Sequence, residues 1–303
     1  VPSELFEKST PQESEVRTVT VRRAGSLTTI QDHGRPGFAH LGVPPSGALD
    51  RPACSLANRL VGNPENAAVL ETTLDGVALV FSADSVVAVT GALAPLYLDS
   101  AAVSLSLPVV VRKGQVLEVG TAVAGVRSYI AVGGGLRPPL TLGSAATDLL
   151  SGLGPPPLRR GETLLVGPSP EFVPAVDLAP YPIPATEIEL LVHHGPREEW
   201  LTREGLARLY SERFIVAPAS NRIALRLIGR EIRRRHSGEL PSEGMVSGAV
   251  QCLPSGQLVI LLADHPTTGG YPVVGVLDPA SLPLCGQARP GTALRFTRAG
   301  RSR

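Results

Sequence analysis

The sequence predicts a mainly β protein with a few short helices, organised as two domains. Three observations carry this. The 303 residues include 32 Gly and 29 Pro but only 4% aromatic residues, a composition that favours short elements joined by turns. Apolar residues recur in brief β-branched runs bounded by Gly or Pro. A proline-dense stretch, residues 167–187, separates two sets of such runs and reads as a stiff extended linker.

Residues 1–15 are polar, with Pro2, Pro11 and scattered carboxylates, and are expected as a disordered tail. From Val16 the pattern VRTVTVR alternates as a strand should. The runs SVVAVTG (85–91), GQVLEVG (114–120), VRSYIAVGG (126–134) and ETLLVG (162–167) continue the series. A helix is predicted from Asp50, which suits an N-cap, with Ala53, Leu56, Ala57 and Leu60 on one face and Gly62, Asn63 and Pro64 ending it. The expected domains are 16–168, a linker over 169–186, and 187–303. The second domain opens with EIELLVHH as a strand, then a helix around Arg197 to Tyr210, then six further strand-like runs ending in TALRFTR. The segments RKGQVLEVG, RRGETLLVG and RPGTALRF share a basic turn, a glycine and a closing strand, a weak internal echo.

Composition also restricts the chemistry. Lysine occurs only at Lys8 and Lys113, so arginine carries nearly all positive charge, and the net charge is +1. Neither lysine has the glycines of a phosphate-binding P-loop, and Met245, the sole methionine, has no lysine near it, so covalent biotin on this chain is not expected. No Gly-x-Ser-x-Gly elbow or Ser-x-x-Lys pair is present. Cys54, Cys252 and Cys285 are odd in number and far apart, which indicates neither a disulfide framework nor a thiolate metal site and fits a cytoplasmic location. His193 and His194 are neighbours on a predicted strand and face opposite ways, a poor arrangement for one metal. No run reaches the roughly 18 apolar residues of a membrane-spanning helix. The run Arg230, Arg233, Arg234, Arg235, His236 has no aromatic companion and reads as a solvated edge or partner-facing patch, and no nucleic-acid role is expected.

Two segments are richer in polar residues and glycine than folding requires. In residues 25–50, Thr29, Gln31, Asp32, Arg35, Ser46 and Asp50 gather around glycine turns. Arg35 beside Asp32 is placed to fork onto a carboxylate or phosphate, and the helix start after Asp50 favours anions. In residues 262–272, Thr267, Thr268, Gly269, Gly270 and Tyr271 follow Asp264 at a strand end, where hydroxyls and close backbone N–H groups suit an oxyanion. The bland alternative is that both are tight turns and the Asp32 and Arg35 pair is structural.

These residues also carry a resemblance. The stretches AGSLTTIQDHGRPGFAHLGVPPSGALD, LANRLVGNPENAAVLETTLDG, VTGA (89–92), SNRIALRLIG, SEGMVSGAVQCLPSGQLVILLAD and TTGGYPVVGVLD resemble the family of 5-oxoprolinase C subunits. That family is also labelled allophanate hydrolase subunit 2 or KipA-like, and is related to the carboxyltransferase domain of urea carboxylase. The resemblance implies two cyclophilin-like β-barrel domains, a heteromer with a KipI-like B subunit, and ATP-dependent opening of 5-oxoproline to glutamate when a third, A-type subunit joins. ATP would be the co-substrate, whether or not it touches this chain. The name allophanate hydrolase serves only as a label, since a Ser-Ser-Lys triad needs a lysine this chain lacks. Asp32, Arg35 and Asp264 become catalytic candidates. Thr29, Gln31, Ser46, Asp50, Thr267, Thr268, Gly269, Gly270 and Tyr271 become candidates for substrate or phosphate binding, with no metal ligand among them. Departures at His33, His265 and Pro266 bear on substrate preference. A carboxyltransferase fed by biotin on another chain, or a non-catalytic regulator of a kinase-inhibitor partner, are the alternatives.

Overall fold

The computed structural model describes residues 16–170, 174, 179–180, 182–238 and 240–300. The expected tail 1–15 lies outside the described residues, as does much of the linker 169–186. The first half contributes strands β1 (Thr18–Arg23), β2 (Leu27–Gln31), β3 (Val69–Thr73), β4 (Ala78–Phe81), β5 (Ser85–Leu93), β6 (Leu96–Leu98), β7 (Ala101–Val103), β8 (Val109–Val111), β9 (Val116–Val119), β10 (Ala124–Val132) and β11 (Thr163–Leu165), with helix α1 (Arg51–Leu60) between β2 and β3.

These strands form a six-stranded sheet in the order β11-β1-β4-β9-β6-β7 and a five-stranded sheet in the order β2-β3-β10-β5-β8. Their facing sides share one core, which includes Val19, Val21, Leu79, Phe81, Leu117, Val89, Ile130 and Val132. The other face of the five-stranded sheet is buried too, because Val69, Ala88, Tyr129 and Ala131 pack under Ala53, Cys54, Ala57 and Leu60 of α1. Burial on both faces explains why β10 reads as a nearly continuous apolar run. It also makes this half a layered structure of two sheets and a helix rather than a single closed ring.

The second half contributes β12 (Glu187–His194), β13 (Phe214–Val216), β14 (Ala224–Ile228), β15 (Glu243–Gly244), β16 (Ala249–Cys252), β17 (Leu258–Leu261), β18 (Thr268–Gly269), β19 (Val273–Leu277) and β20 (Ala293–Arg298), with α2 (Arg203–Ser211) and α3 (Leu282–Gln287). Here the sheet closes: β12-β19-β16-β17-β14-β13-β20 is a barrel. It is sealed by the parallel pairing of β12 with β20, from Glu187 opposite Ala293 to Val192 opposite Arg298. Along β12, Ile188, Leu190 and Val192 point inward and their neighbours outward, the alternation of a strand with one wet face. The helix expected around Arg197 begins later than the sequence implied. Residues Glu198–Trp200 form a 3-10 turn, and α2 starts at Arg203, where the Thr202 side chain accepts a hydrogen bond from the Gly205 N–H. Of the three echo segments, two supply β9 and β11 of one sheet and the third supplies β20 of the barrel.

The two halves pack through α3. Gly286 lies so close to the backbone of Leu49 and Asp50 that an added Cβ would sit 3.0 Å from the Leu49 carbonyl, and its own carbonyl accepts a 2.5 Å bond from Arg127 Nη1. Gln287 Nε2 reaches Asp50 Oδ2 at 2.8 Å. No helix among the described residues is long and apolar enough to cross a membrane.

Candidate active site between the two halves

The loop preceding α1 builds the site. Ser46 has φ 51° and Gly47 φ 94°, so the chain reverses through the left-handed region at two successive residues. Only glycine fits at 47, since a Cβ there would come within 2.7 Å of the Gly34 nitrogen. The reversal laces this loop to the preceding one: Arg35 N–H donates to Pro45 O at 2.7 Å, and Ala48 N–H to Asp32 O at 2.9 Å. It also carries Ser46 across to the barrel, where its hydroxyl lies 2.7 Å from Asp264 Oδ1 and 3.0 Å from Thr147 O. Both neighbours are acceptors and a hydroxyl has one proton, so Ser46 offers only lone pairs to any bound molecule.

Beside Ser46 opens a cleft of about 540 Å³. One wall is Pro45, Ala48, Leu49 and Pro52 from the first half; the other is Leu262, Ala263, Pro279, Ala280, Leu282 and Pro283 from the barrel side. Ser46, Ser247 and Arg51 are its polar lining, and Arg51 is the single charged residue among those lining it. The Arg51 guanidinium is exposed and steadied by one 2.9 Å bond to the His33 carbonyl.

Beneath the cleft runs a buried polar network that joins the halves. Arg222, 1% exposed, forks onto Asp264 (Nε to Oδ2 2.9 Å, Nη2 to Oδ1 3.0 Å) and reaches Glu71 Oε1 at 2.5 Å. It also donates to Gly47 O at 2.7 Å. Glu71 Oε2 accepts from Tyr129 Oη at 2.9 Å and from Leu49 N–H at 3.2 Å, while Arg127 Nε lies 3.5 Å from Oε1. Burial would lower the Arg222 pKa, but the Glu71 and Asp264 charges and their hydrogen bonds outweigh it and raise the pKa, holding the guanidinium charged. Burial also lowers Arg127, partly offset by Glu71, and pushes the Tyr129 phenol well above its usual range, with Glu71 and Asp50 adding to the effect.

Several residues singled out in the sequence prove to be part of this framework. Asp264 is fully buried and accepts from Ser46, Arg222 and the Leu149 N–H, so its oxygens are engaged in joining the halves. The Asp32 carboxylate ties its own loop to that of residues 144–145: Oδ1 accepts from Gly34 N–H and Ser144 Oγ, each at 2.7 Å, and Oδ2 from Ala145 N–H at 2.7 Å. Arg35 is 1% exposed and donates to the carbonyls of Thr141 and Ala146 rather than forking onto Asp32. Burial lowers its pKa, against the pull of Asp148, Asp32 and Asp264. Thr29 and Gln31 are buried on β2, Gln31 Nε2 donating to Thr29 Oγ1 and Thr147 O. Asp50 is the α1 cap: Oδ1 accepts from Ala53 N–H and Oδ2 from Gln287. With Pro52 lacking an N–H, the helix start is occupied by its own carboxylate and is not an anion site.

The Thr267, Thr268, Gly269, Gly270, Tyr271 segment differs from the expected anion nest. Gly269 and Gly270 lack positive φ, and Thr268–Gly269 is extended as β18, paired with Glu243–Gly244. The N–H groups therefore alternate along a ribbon instead of converging. None of these residues lines the cleft; its neighbours in sequence, Leu262 and Ala263, do.

His193 and His194 face separate carboxylates, Asp278 at 3.0 Å and Glu198. The three thiols are buried; burial pushes Cys252 up to about 11, Cys285 up to about 12 and Cys54 higher still. In the native protein at mildly alkaline pH, dithionitrobenzoate is expected to label none of them, and all three on unfolding in denaturant. His265 is buried, its Nδ1–H donating to Pro266 O at 2.8 Å; burial lowers its pKa below the ordinary 6.5, a trend the Pro266 bond and nearby Asp264 only partly oppose. The fold thus binds the neutral ring, and this contribution to stability is present above pH 6.5 and lost as pH falls below it. Urea midpoints from neutral to mildly acidic pH are expected to fall less steeply for His265→Gln than for wild type.

Comparison with known proteins agrees with this architecture. The family model for a carboxyltransferase domain, subdomains A and B, matches residues 41–298. The chain belongs to that carboxyltransferase-domain family. The C subunit of Escherichia coli 5-oxoprolinase is 35% identical over 90% of this chain and 89% of its own length. Saccharomyces cerevisiae urea amidolyase is 33% identical over 93% of this chain, which spans 17% of that longer protein. The crystal structure of Kluyveromyces lactis urea carboxylase superposes with a TM-score of 0.87 at 29% identity, over 93% of this chain and 27% of that one. Another solved chain, 34% identical with a TM-score of 0.86, is covered over 56% of its length.

Within this carboxyltransferase-domain chain, Glu71, Arg127, Tyr129, Arg222 and Gln287 are the framework residues that motif reading passes over. A signal exists for two of them: Glu71 and Arg127 are charged residues in otherwise buried strands, β3 and β10, and a charge in such a run requires a partner.

Proposed function

We propose that this chain is the C-type component of an ATP-dependent 5-oxoprolinase-type complex, working with a KipI-like B-type protein and a third, A-type protein to open 5-oxoproline to glutamate. One observation supports the substrate above others: the cleft between the halves is apolar apart from two serine hydroxyls and one arginine. A compact lactam ring with a single carboxylate matches that inventory. The ring would lie against Pro45, Leu49 and Leu282, its carboxylate would face Arg51, and its N–H would donate to the Ser46 oxygen. The near full-length match to the C subunit of 5-oxoprolinase supports the same reading. Lactams are poor electrophiles, and phosphorylation of the lactam oxygen by ATP would make attack by water feasible. ATP is then a co-substrate of the complex; with only Lys8 and Lys113, covalent biotin is not assigned to this chain.

The same apolar walls favour one second reading, transfer of a carboxyl group from biotin borne by another chain, in keeping with the family model. Mixing this chain with its A-type and B-type partners distinguishes the two. Glutamate release coupled to ATP cleavage, lost when any one component is omitted, is the expected result. Absence of glutamate from the full mixture, with carboxyl transfer from biotin instead, would reject the lactam.

A further inference from the structure

The basic run Arg230, Arg233, Arg234, Arg235, His236 lacks an aromatic companion in sequence, but the fold supplies one. The Arg234 guanidinium lies 5.4 Å from the centre of the Trp200 ring, and the His236 ring packs edge-on against that indole at 5.1 Å. The backbone beneath is fixed on two sides. Thr202 N–H donates to Arg233 O at 3.1 Å, Arg235 N–H to Trp200 O at 2.6 Å, and the buried Ile232 N–H to Gly256 O at 2.9 Å. These side chains project from an ordered frame, which lowers the entropy lost on binding a ligand.

They surround a cavity of about 400 Å³ lined by Arg233, Arg234, Arg235, His236, Ser237 and Ser255, among others, which shares no lining residue with the cleft. Among the described residues donors exceed acceptors there. Arg234 gives Nη2 to the Gly238 carbonyl, yet its Nε and Nη1 are buried with no acceptor among the described residues. Arg233 has only an exposed 3.3 Å pair with Glu204, and Arg235 has no carboxylate partner among the described residues. Glu231 is the one acidic residue lining the cavity.

We propose that this cavity is a second ligand site, for a small oxyanion of the phosphate or phosphate-ester class. Three guanidinium groups flanked by two hydroxyls match a multiply charged tetrahedral anion, whose oxygens would accept from the exposed Arg233 and Arg235 guanidinium groups while Arg234 adds its charge from beneath.

Trp200 is the only tryptophan of the 303 residues, so its emission reports on its own contacts with Arg234 and His236, which line the cavity. The full chain is titrated with inorganic phosphate, pyrophosphate and glycerol phosphate, with sodium chloride at matched ionic strength and acetate as controls. The expected result is a saturable change in Trp200 emission with phosphate-class anions only, matched by heat in calorimetry and weakened by added salt. A stronger response to glycerol phosphate than to phosphate identifies an ester as the ligand, and the reverse identifies the free anion. Affinity is expected to fall about tenfold or more in the Arg233→Gln/Arg235→Gln double variant, and likewise in Ser255→Asp, which adds a repelling charge. No saturable response at millimolar concentrations, an equal response to acetate, or unchanged affinity in both variants would overturn the proposal.

Discussion

Arg222→Met is expected to lower unfolding stability by about 3–5 kcal/mol, the cost of leaving buried carboxylates without their cation. Arg222 holds Glu71 from the first half and Asp264 from the second, both essentially inaccessible to water. Methionine matches much of the arginine stem but supplies no donor, so the bidentate contact to Asp264 and the bonds to Glu71 and Gly47 vanish together. Urea denaturation of the two proteins measures the effect as a shift in midpoint at constant slope. Converting Glu71 to Gln and Asp264 to Asn in the same chain is expected to recover part of the loss, because the stranded charges are removed as well. A loss under about 1 kcal/mol for the single variant would mean that the network does not join the halves, since that is the range of an exposed ion pair.

How much of this is legible in the sequence depends on whether the signal is local. Strand β12 shows its alternation, and α1 announces itself through Asp50 and the Gly62, Asn63, Pro64 stop. The mainly β character with short helices follows from such signals. Which strands close on each other does not: the barrel exists because β12 pairs with β20 about a hundred residues later, whereas β10 lies between β3 and β5 in an open sheet covered by α1. The site is half visible. Ser46 and Asp264 stand out in separate motifs, and the fold brings them to 2.7 Å. Their roles are not visible, because the fold buries Asp32, Asp50 and Asp264 and gives each carboxylate internal donors that no local pattern announces. Arg222 lies at a bend within SNRIALRLIG, where nothing local marks it as an inter-half anchor, and its partner Glu71 is 151 residues away. The 267–271 segment misleads because Thr-Thr-Gly-Gly composition fits a nest and an extended ribbon equally well, and only the φ angles separate them.

Ala280→Trp tests whether substrate is handled in the cleft between the halves. Ala280 is exposed on the cleft wall, in the 3-10 turn Pro279–Ser281 capped by Asp278. Its backbone N–H bond to Asp278 Oδ1 at 3.0 Å does not involve the side chain, so an indole there fills the cleft against its apolar walls and removes none of the hydrogen bonds of the turn or of the Arg222 network. Displacing the reacting groups by even an ångström costs about a hundredfold in rate. The measurement is glutamate release from 5-oxoproline by the reconstituted complex, wild type against Ala280→Trp, with the melting temperature recorded for both. A loss of about a hundredfold at unchanged melting temperature is the predicted result; full turnover with the cleft filled would contradict it and place the chemistry elsewhere in the complex.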